Sequence, residues 1–245
     1  ENRIRMVMHS RDCLEWSEPS ILFKPDAGDN KGTNFYQQSA FTMSDRCLGF
    51  LNVFDVTTQM SWIELVESPD GVSWHRFPSR PAVLKPGDFG TLDGGGVYNG
   101  LGEPIVDGDR TWVHYMAAPH PHDSGFSEKA KHLKQCVARA HFPTGRLVGQ
   151  QTERGGYFAS VPVLCPGGQL QLNVKCDNEV LVELKDPGYG GPIDGFTVDD
   201  CTPLTGDDKA ATVRWKRSLE ELKGRYVKIK VSGDNAKVFS ATFVE

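Results

Sequence analysis

The stretch Gly90–Asp123, GTLDGGGVYNGLGEPIVDGDRTWVHYMAAPHPHD, gathers the residue types that do chemistry. Asp93 is followed by three glycines and the strand-like pair Val97–Tyr98. A strand at Thr111–Tyr115 then leads to a loop with two histidines, Pro119-His120-Pro121-His122-Asp123. Glycines allow sharp turns and close approach of the backbone to a ligand. An acid beside them, an aromatic on the next strand and a histidine-bearing loop make a polar site able to hold a ligand. The same pattern also describes a β-hairpin with a wide glycine turn, in which Asp93 only caps that turn.

The elements that must position these residues are strands. Hydrophobic content of 38%, with 26 Gly and 15 Pro in 245 residues, describes a globular, turn-rich chain. No apolar run reaches the ~18 residues of a membrane span. A net charge of −5 with mixed signs gives no nucleic-acid footprint. The one basic cluster, Lys129–Lys134, reads as a solvated edge. Six cysteines show no metal-ligand spacing, and no cofactor motif is present, so no metal or cofactor is expected. Cys13 with Cys47 is the first disulfide to test, with buried free thiols the equal alternative.

A phrase repeats. Ser10-Arg-Asp12-Cys-Leu-Glu-Trp16 returns as Ser68-Pro-Asp70-Gly-Val-Ser-Trp74, 58 residues on and again after a strand. That spacing fits the ~40–60 residues of a four-stranded propeller blade. In each copy the Asp should bond its own turn and the Trp should be buried between sheets, so both are structural. Strands are expected at Phe35–Phe41, Cys47–Phe54 and Ser61–Glu67, with a turn at Thr42–Asp45. A third unit runs Gly96–Ile105, Thr111–Ala117 and Gln135–Ala140, lengthened by an insertion at His120–His132.

After about Gln151 the strands become short and evenly spaced: Tyr157–Cys165, Gln169–Cys176, Val180–Lys185, Phe196–Val198, Thr212–Trp215, Tyr226–Val231 and Val238–Val244. Alternating Leu170, Leu172 and Val174 give one dry face. This half reads as an antiparallel β-sandwich. One helical turn, Ser218–Leu222, has Ser218 as N-cap and Glu221 completing a capping box. The chain is therefore expected to be all-β, with a partial propeller over 1–152 and a sandwich over 153–245.

The S-x-D-x-x-x-W turns, the FYQQSAF strand, the LDGGGVY…PIVDGDRTWVHY phrase and the tail GGPIDGFTVDDCTPLTGDD…VRW…LEELKGRYVKIKV together resemble one family. It is the five-bladed β-propeller glycoside hydrolase-like proteins, the invertase and arabinanase group of glycosyl hydrolase families 32 and 43, with a C-terminal β-sandwich. The resemblance covers nearly the whole chain, but only about three blade-equivalents, Arg3–Gln150. It implies that further blades lie upstream, on the same polypeptide or on another chain, and that they carry at least one catalytic carboxylate.

The resemblance also implies a funnel lined by each blade's innermost strand. Asp29 precedes one such strand, Phe35–Phe41, and Asp93 precedes the other, Gly96–Tyr98. Glycoside cleavage uses two carboxylates, so Asp93 and Asp29 are the candidate catalytic residues. Tyr36, Gln38, Tyr98, His120 and His122 are the candidate sugar-binding shell, and carbohydrate is the expected partner. An extracellular or secretory setting goes with this reading. The alternative is a non-catalytic carbohydrate-binding or structural module of a larger extracellular assembly.

Overall fold

The computed structural model describes residues 2–43, 46–123, 132–188 and 190–244, without the side chains of Asn99 and Leu101. The chain is all-β and its strands pair antiparallel. The helical pieces among the described residues are two short 3-10 turns, Val198–Asp200 and Leu219–Leu222. Two compact units divide at Phe142/Pro143, ahead of the change in texture at Gln151. Of the expected turn at Thr42–Asp45, Thr42 and Met43 continue the strand and pair with Cys47 and Arg46, while 44–45 fall outside the described residues, as do much of the insertion at His120–His132 and residues 129–131.

The first unit holds three sheets. β1 (Arg5–Val7) and β2 (Ser20–Phe23) make a two-stranded ribbon. β3 (Thr33–Met43), β4 (Arg46–Asp55) and β5 (Met60–Ser68) form a meander. Its fourth strand comes in two pieces, β6 (His75–Arg76) and β7 (Ala82–Leu84), both paired with β5. β8 (Gly96–Asp107), β9 (Arg110–Ala118) and β10 (Cys136–Pro143) form a three-stranded meander.

Strand β4 is buried continuously from Leu48 to Asp55, because both faces of its sheet are covered. On one side Phe23 of the ribbon packs into a cluster with Phe35, Leu51, Val53 and Val66. On the other side β8 comes so close that a Cβ on Gly100 would lie 2.7 Å from the Phe50 ring. A polar pin fixes this second contact: the buried Ser61 hydroxyl donates to the Val97 carbonyl at 2.7 Å. Asn52 Nδ2 in turn donates to Ser61 Oγ at 2.6 Å.

The two copies of the repeated phrase fold alike down to single hydrogen bonds. Asp12 Oδ1 accepts from the amides of Leu14 and Glu15, and Asp70 Oδ1 accepts from those of Val72 and Ser73. The Trp16 indole donates to the Cys13 carbonyl and the Trp74 indole to that of Gly71. Cys13 and Gly71 are both left-handed, at φ 62° and 75°. These amide bonds hold both carboxyls below their usual range.

The burial of the two tryptophans differs, which corrects the expectation that both lie between sheets. Trp74 is half-buried against Gly49 and beside the Phe23 cluster, whereas Trp16 is 52% exposed. Gly49 belongs to β4, and the ribbon has no counterpart of β4 among the described residues. Cys13 and Cys47 are likewise unbridged, as are the other four cysteines. Cys47 lies beside Gly71 of the second turn rather than beside Cys13 of the first.

In the second unit one seven-stranded sheet curls around one core and is nearly closed, giving the two layers of a sandwich. The expected strands Gln169–Cys176 and Val180–Lys185 are one strand, β14 (Gln169–Lys185). Its first half lies between β15 (Leu204–Val213) and β17 (Ala236–Val244), and its second half pairs with β16 (Tyr226–Gly233). A register break between Cys176 and Val180 marks the corner where it changes layers. β11 (Gln150–Thr152) pairs with β17, while β12 (Tyr157–Ala159) and β13 (Val163–Leu164) pair with β16.

Three local expectations change here. Thr197–Asp200 is a capped turn, with the Thr197 amide and hydroxyl both donating to Asp200 Oδ2, where a strand was expected. β15 begins at Leu204, well ahead of Thr212, its exposed run of Gly, Asp and Lys being paired on one edge. Ser218 caps Leu219–Leu222 by accepting from the Glu220 amide, but Glu221 turns away to Arg217. An ion pair four residues back displaces the capping box.

Two measurements check this account. Trp74→Ala should destabilise the chain by about 2 kcal/mol in urea, roughly half the cost for a fully buried Trp. Trp16→Ala should stay within about 0.5 kcal/mol, as exposed sites do. Asp70→Asn should destabilise at neutral pH, because the native state holds Asp70 ionised below its ordinary value of 3.8. That difference should shrink as pH falls below 4 and the wild-type carboxyl protonates, which denaturation at several pH values would show.

Candidate functional site

A cleft of about 830 Å³ opens in the first unit, lined by Tyr36, Tyr98, His120, His122, Asp123 and Lys134, with an apolar wall of Met116, Ala118, Pro119 and Pro121. The inner strands β3 and β8 bring the two tyrosines. Each strand carries a one-residue register shift beside its tyrosine, between Phe35 and Gln38 in β3 and between Tyr98 and Leu101 in β8. Such bulges re-aim side chains at the rims of sheets. The Ser61–Val97 pin holds the residue next to Tyr98, so the two tyrosines face one space.

The histidine loop is held from two sides. Gln59, in the β4–β5 turn at φ 61°, accepts from the His122 amide through its carbonyl at 3.1 Å. Its Oε1 accepts from the Asp123 amide at 3.0 Å. From below, Gly95 donates its amide to Ala118 O at 2.9 Å. A Cβ on Gly95 would fall 1.9 Å from the His120 carbonyl carbon. The glycines after Asp93 therefore serve a close backbone contact with the loop.

His122 sits in an aromatic cage, with ring centroids 5.1 Å from Phe54, 5.8 Å from Tyr36 and 6.3 Å from Tyr98. Its Nδ1 lies 2.8 Å from Asp123 Oδ1. Tyr36 has Phe54 at 4.8 Å and the Arg3 guanidinium over its ring at 4.5 Å. Two groups so near one ring centre cannot share a face, so Tyr36 offers the cleft its edge and hydroxyl rather than a stacking surface. Tyr98 is only 9% exposed, and its hydroxyl finds no hydrogen-bond partner among the described residues. Burial, with Tyr36 and Asp123 nearby, pushes that hydroxyl up to about 12.

The two aspartates lie off the cleft wall, in different settings. Asp93 Oδ2 accepts from the Tyr115 hydroxyl at 3.0 Å and Oδ1 from Thr91 Oγ1 at 3.2 Å. Burial and this bond push Tyr115 up to about 12. Asp29 has a side chain 5% exposed, with both oxygens on Arg76 Nη1 at 2.8–2.9 Å and a further bond from Arg80. Burial alone would raise its pKa, but Arg76, the Asp26 amide and Arg80 outweigh it and keep Asp29 ionised. Arg76 also binds the buried Glu64 at 2.7 Å. Gln38 stands off the cleft as well, its Oε1 buried without a partner among the described residues.

Sequence reasoning brought Tyr36, Tyr98, His120 and His122 together and missed Gln59, Phe54 and Arg3. Gln59 alone carried a signal, a residue in a tight turn, and that signal says nothing of what the turn will touch. Among the described residues no group of three His, Cys, Asp or Glu side chains is placed to hold a metal ion. No described helix is long and apolar enough to cross a membrane.

No protein-family model matches this sequence. No curated protein matches it either. Among solved structures, the chain aligns with sucrose-6-phosphate hydrolase from Lactobacillus gasseri at 8% identity and a TM-score of 0.29, over 95% of this chain and 72% of that one. It aligns with a protein described as a glycoside hydrolase at 8% identity and a TM-score of 0.26, over 92% and 62% of the two chains. Scores this low define no shared fold, so the functional reading rests on the site itself.

The Asp29 network makes its own prediction. Arg76→Leu should cost about 3 kcal/mol in chemical denaturation, because it leaves buried Glu64 without its cation and Asp29 with Arg80 alone. Asp29→Asn should cost less, since it leaves Arg76 paired with Glu64.

Proposed function

We propose that this chain is carbohydrate-active and binds a glycan in the Tyr36–Tyr98–His122 cleft. The observation that carries the reading is the Tyr98 hydroxyl, buried at the cleft without a hydrogen-bond partner among the described residues. A buried polar group of this kind costs about 1–3 kcal/mol unless something hydrogen-bonds it, and a sugar hydroxyl supplies that bond. The apolar wall of Met116, Pro119 and Pro121 suits the C–H face of a sugar ring, while His120, Asp123 and Lys134 suit its hydroxyls.

Binding is favoured over cleavage because Asp123 is the one carboxylate on the described cleft wall, and it is engaged by His122. Glycoside hydrolysis uses two carboxyls across the scissile bond. Asp29 serves as a structural counter-ion to Arg76 and Arg80 in this reading. The second reading, glycoside cleavage with Asp93 as acid or transition-state stabiliser, draws on a contrast: no described cation pairs with Asp93. An extracellular or secretory setting belongs to both readings.

Tyr98→Phe tests the proposal. Calorimetric titration against a panel of neutral and acidic oligosaccharides should show affinity lower by about tenfold, the worth of one hydrogen bond, with stability unchanged or raised. A cleft that binds no oligosaccharide, or a variant that binds as tightly as wild type, would overturn it. Asp93→Asn separates the readings: binding without turnover in both proteins supports the first, and loss of a measurable glycan turnover supports the second.

A further inference from the structure

We propose that the glycan held in the cleft is extended and acidic. It leaves the cleft along β9 and β10 and reaches a cationic subsite, Arg139 seated on Trp112. The inference rests on the reading above and adds to it a charge class and a length. β9 alternates strictly: Thr111, Val113, Tyr115 and Ala117 are buried on one face, while Trp112, His114 and Met116 stand half-buried on the other. Met116 belongs to the cleft wall. The face that ends in the cleft therefore continues through His114 to Trp112, four residues and about 13 Å away.

The neighbouring strand β10 follows the same course. It is preceded by Leu133, Lys134 and Gln135, which line the cleft together with Met116. Farther along, its exposed Arg139 and His141 lie against Trp112. The Arg139 guanidinium carbon is 4.2 Å from the centre of the Trp112 ring, and the His141 ring centre is 4.9 Å from it. Ile105, across from Trp112 on β8 and 55% exposed, adds apolar surface beside them.

Pairing decides which cations are available. Arg110 also approaches Trp112, at 5.9 Å, but it lies opposite Asp107 and 3.9 Å from Asp109. At the cleft, Asp123 is taken by His122. Among the described residues no carboxylate lies within ion-pair distance of Arg139 or Lys134. A guanidinium held flat on an indole has given up much of the freedom that binding would cost it. Its N–H groups still point outward in the ring plane, where they fit a carboxylate or sulfate in bidentate fashion. A ligand that fills the cleft and reaches Arg139 is long, offers hydroxyls at one end and carries an anion at the other. An oligosaccharide bearing carboxylate or sulfate groups meets that description. A nucleic acid meets it less well, because its closely repeated phosphates would run beside Asp107, Asp109 and Asp123.

Matched sugars test the inference on this chain by calorimetric titration. The probes are dimers and hexamers of galacturonate with their methyl esters, and sulfated galactans of both lengths with their desulfated forms. The acidic hexamer of one series should bind about tenfold more tightly than its neutral counterpart, the worth of one charge-assisted contact. That advantage should fade at about 1 M salt and be absent from the dimers. Which series shows it tells carboxylate from sulfate. Arg139→Gln should remove the advantage and leave the neutral hexamer's affinity and the unfolding midpoint unchanged, since Arg139 is exposed. Arg139→Lys, which keeps the charge and loses the fork, should restore part of it. Tyr98→Phe should weaken both hexamers alike, so the two sites are read separately. Equal affinity for acidic and neutral hexamers, or an advantage that survives Arg139→Gln, would overturn the inference and leave the cleft reading standing. Binding of no hexamer in either series would overturn both. A single-stranded DNA of equal charge that binds more tightly than every acidic hexamer would also overturn it, making nucleic acid the occupant.

Discussion

The carbonyl of Val97 sets the geometry of the first unit. It accepts from the buried Ser61 hydroxyl, which is itself held by Asn52, so one strand of the third sheet is registered against two strands of the second. Apolar packing alone, such as Phe50 against Gly100, would tolerate sliding, because hydrophobic contact is not directional. A buried hydroxyl that must find its acceptor does not tolerate it. Everything at the cleft follows from that register. Tyr98 is one residue beyond the pin, and Ala118, opposite Gly96, starts the loop that carries the histidines.

The loop depends on a second constraint, the absence of a side chain at Gly95. Any Cβ there would displace the His120 backbone, and His122 would leave its cage of Phe54, Tyr36 and Tyr98. Gln59 closes the arrangement from the neighbouring sheet by accepting from two successive loop amides. Its left-handed backbone is the kind of local strain that a site retains when the surroundings enforce it. The cleft is thus built by three sequence-distant pieces, and none of them is itself a sugar-binding motif.

The ion pairs of Arg76 with Asp29 and Glu64 are deeply buried and lie off the cleft wall, where they tie the second sheet to the loop before it. At the cleft the acid that is present, Asp123, is already paired with His122. What is left over for a ligand is hydrogen bonding, chiefly the Tyr98 hydroxyl, and apolar surface.

What the sequence by itself determined was local. Asp12 and Asp70 fold their own turns because each carboxylate reaches amides two and three residues on, an interaction that needs no tertiary support. The β-strands around Phe35, Phe50 and Ile63 were also legible, since their apolar and β-branched runs suit a sheet covered on both faces. The convergence of Tyr36, Tyr98 and the His120–His122 loop was also legible, since repeated units place equivalent strands side by side. Only the tertiary structure decided the rest. Burial of Trp16 or Trp74 is a property of the strands beside the turn, not of the turn. Asp29 and Asp93 look alike in sequence, yet one is neutralised by Arg76 and Arg80, residues 47 and 51 positions away, and the other is held by Tyr115. Long-range partners of that kind set the charge and reach of a carboxylate, and no spacing along the chain encodes them.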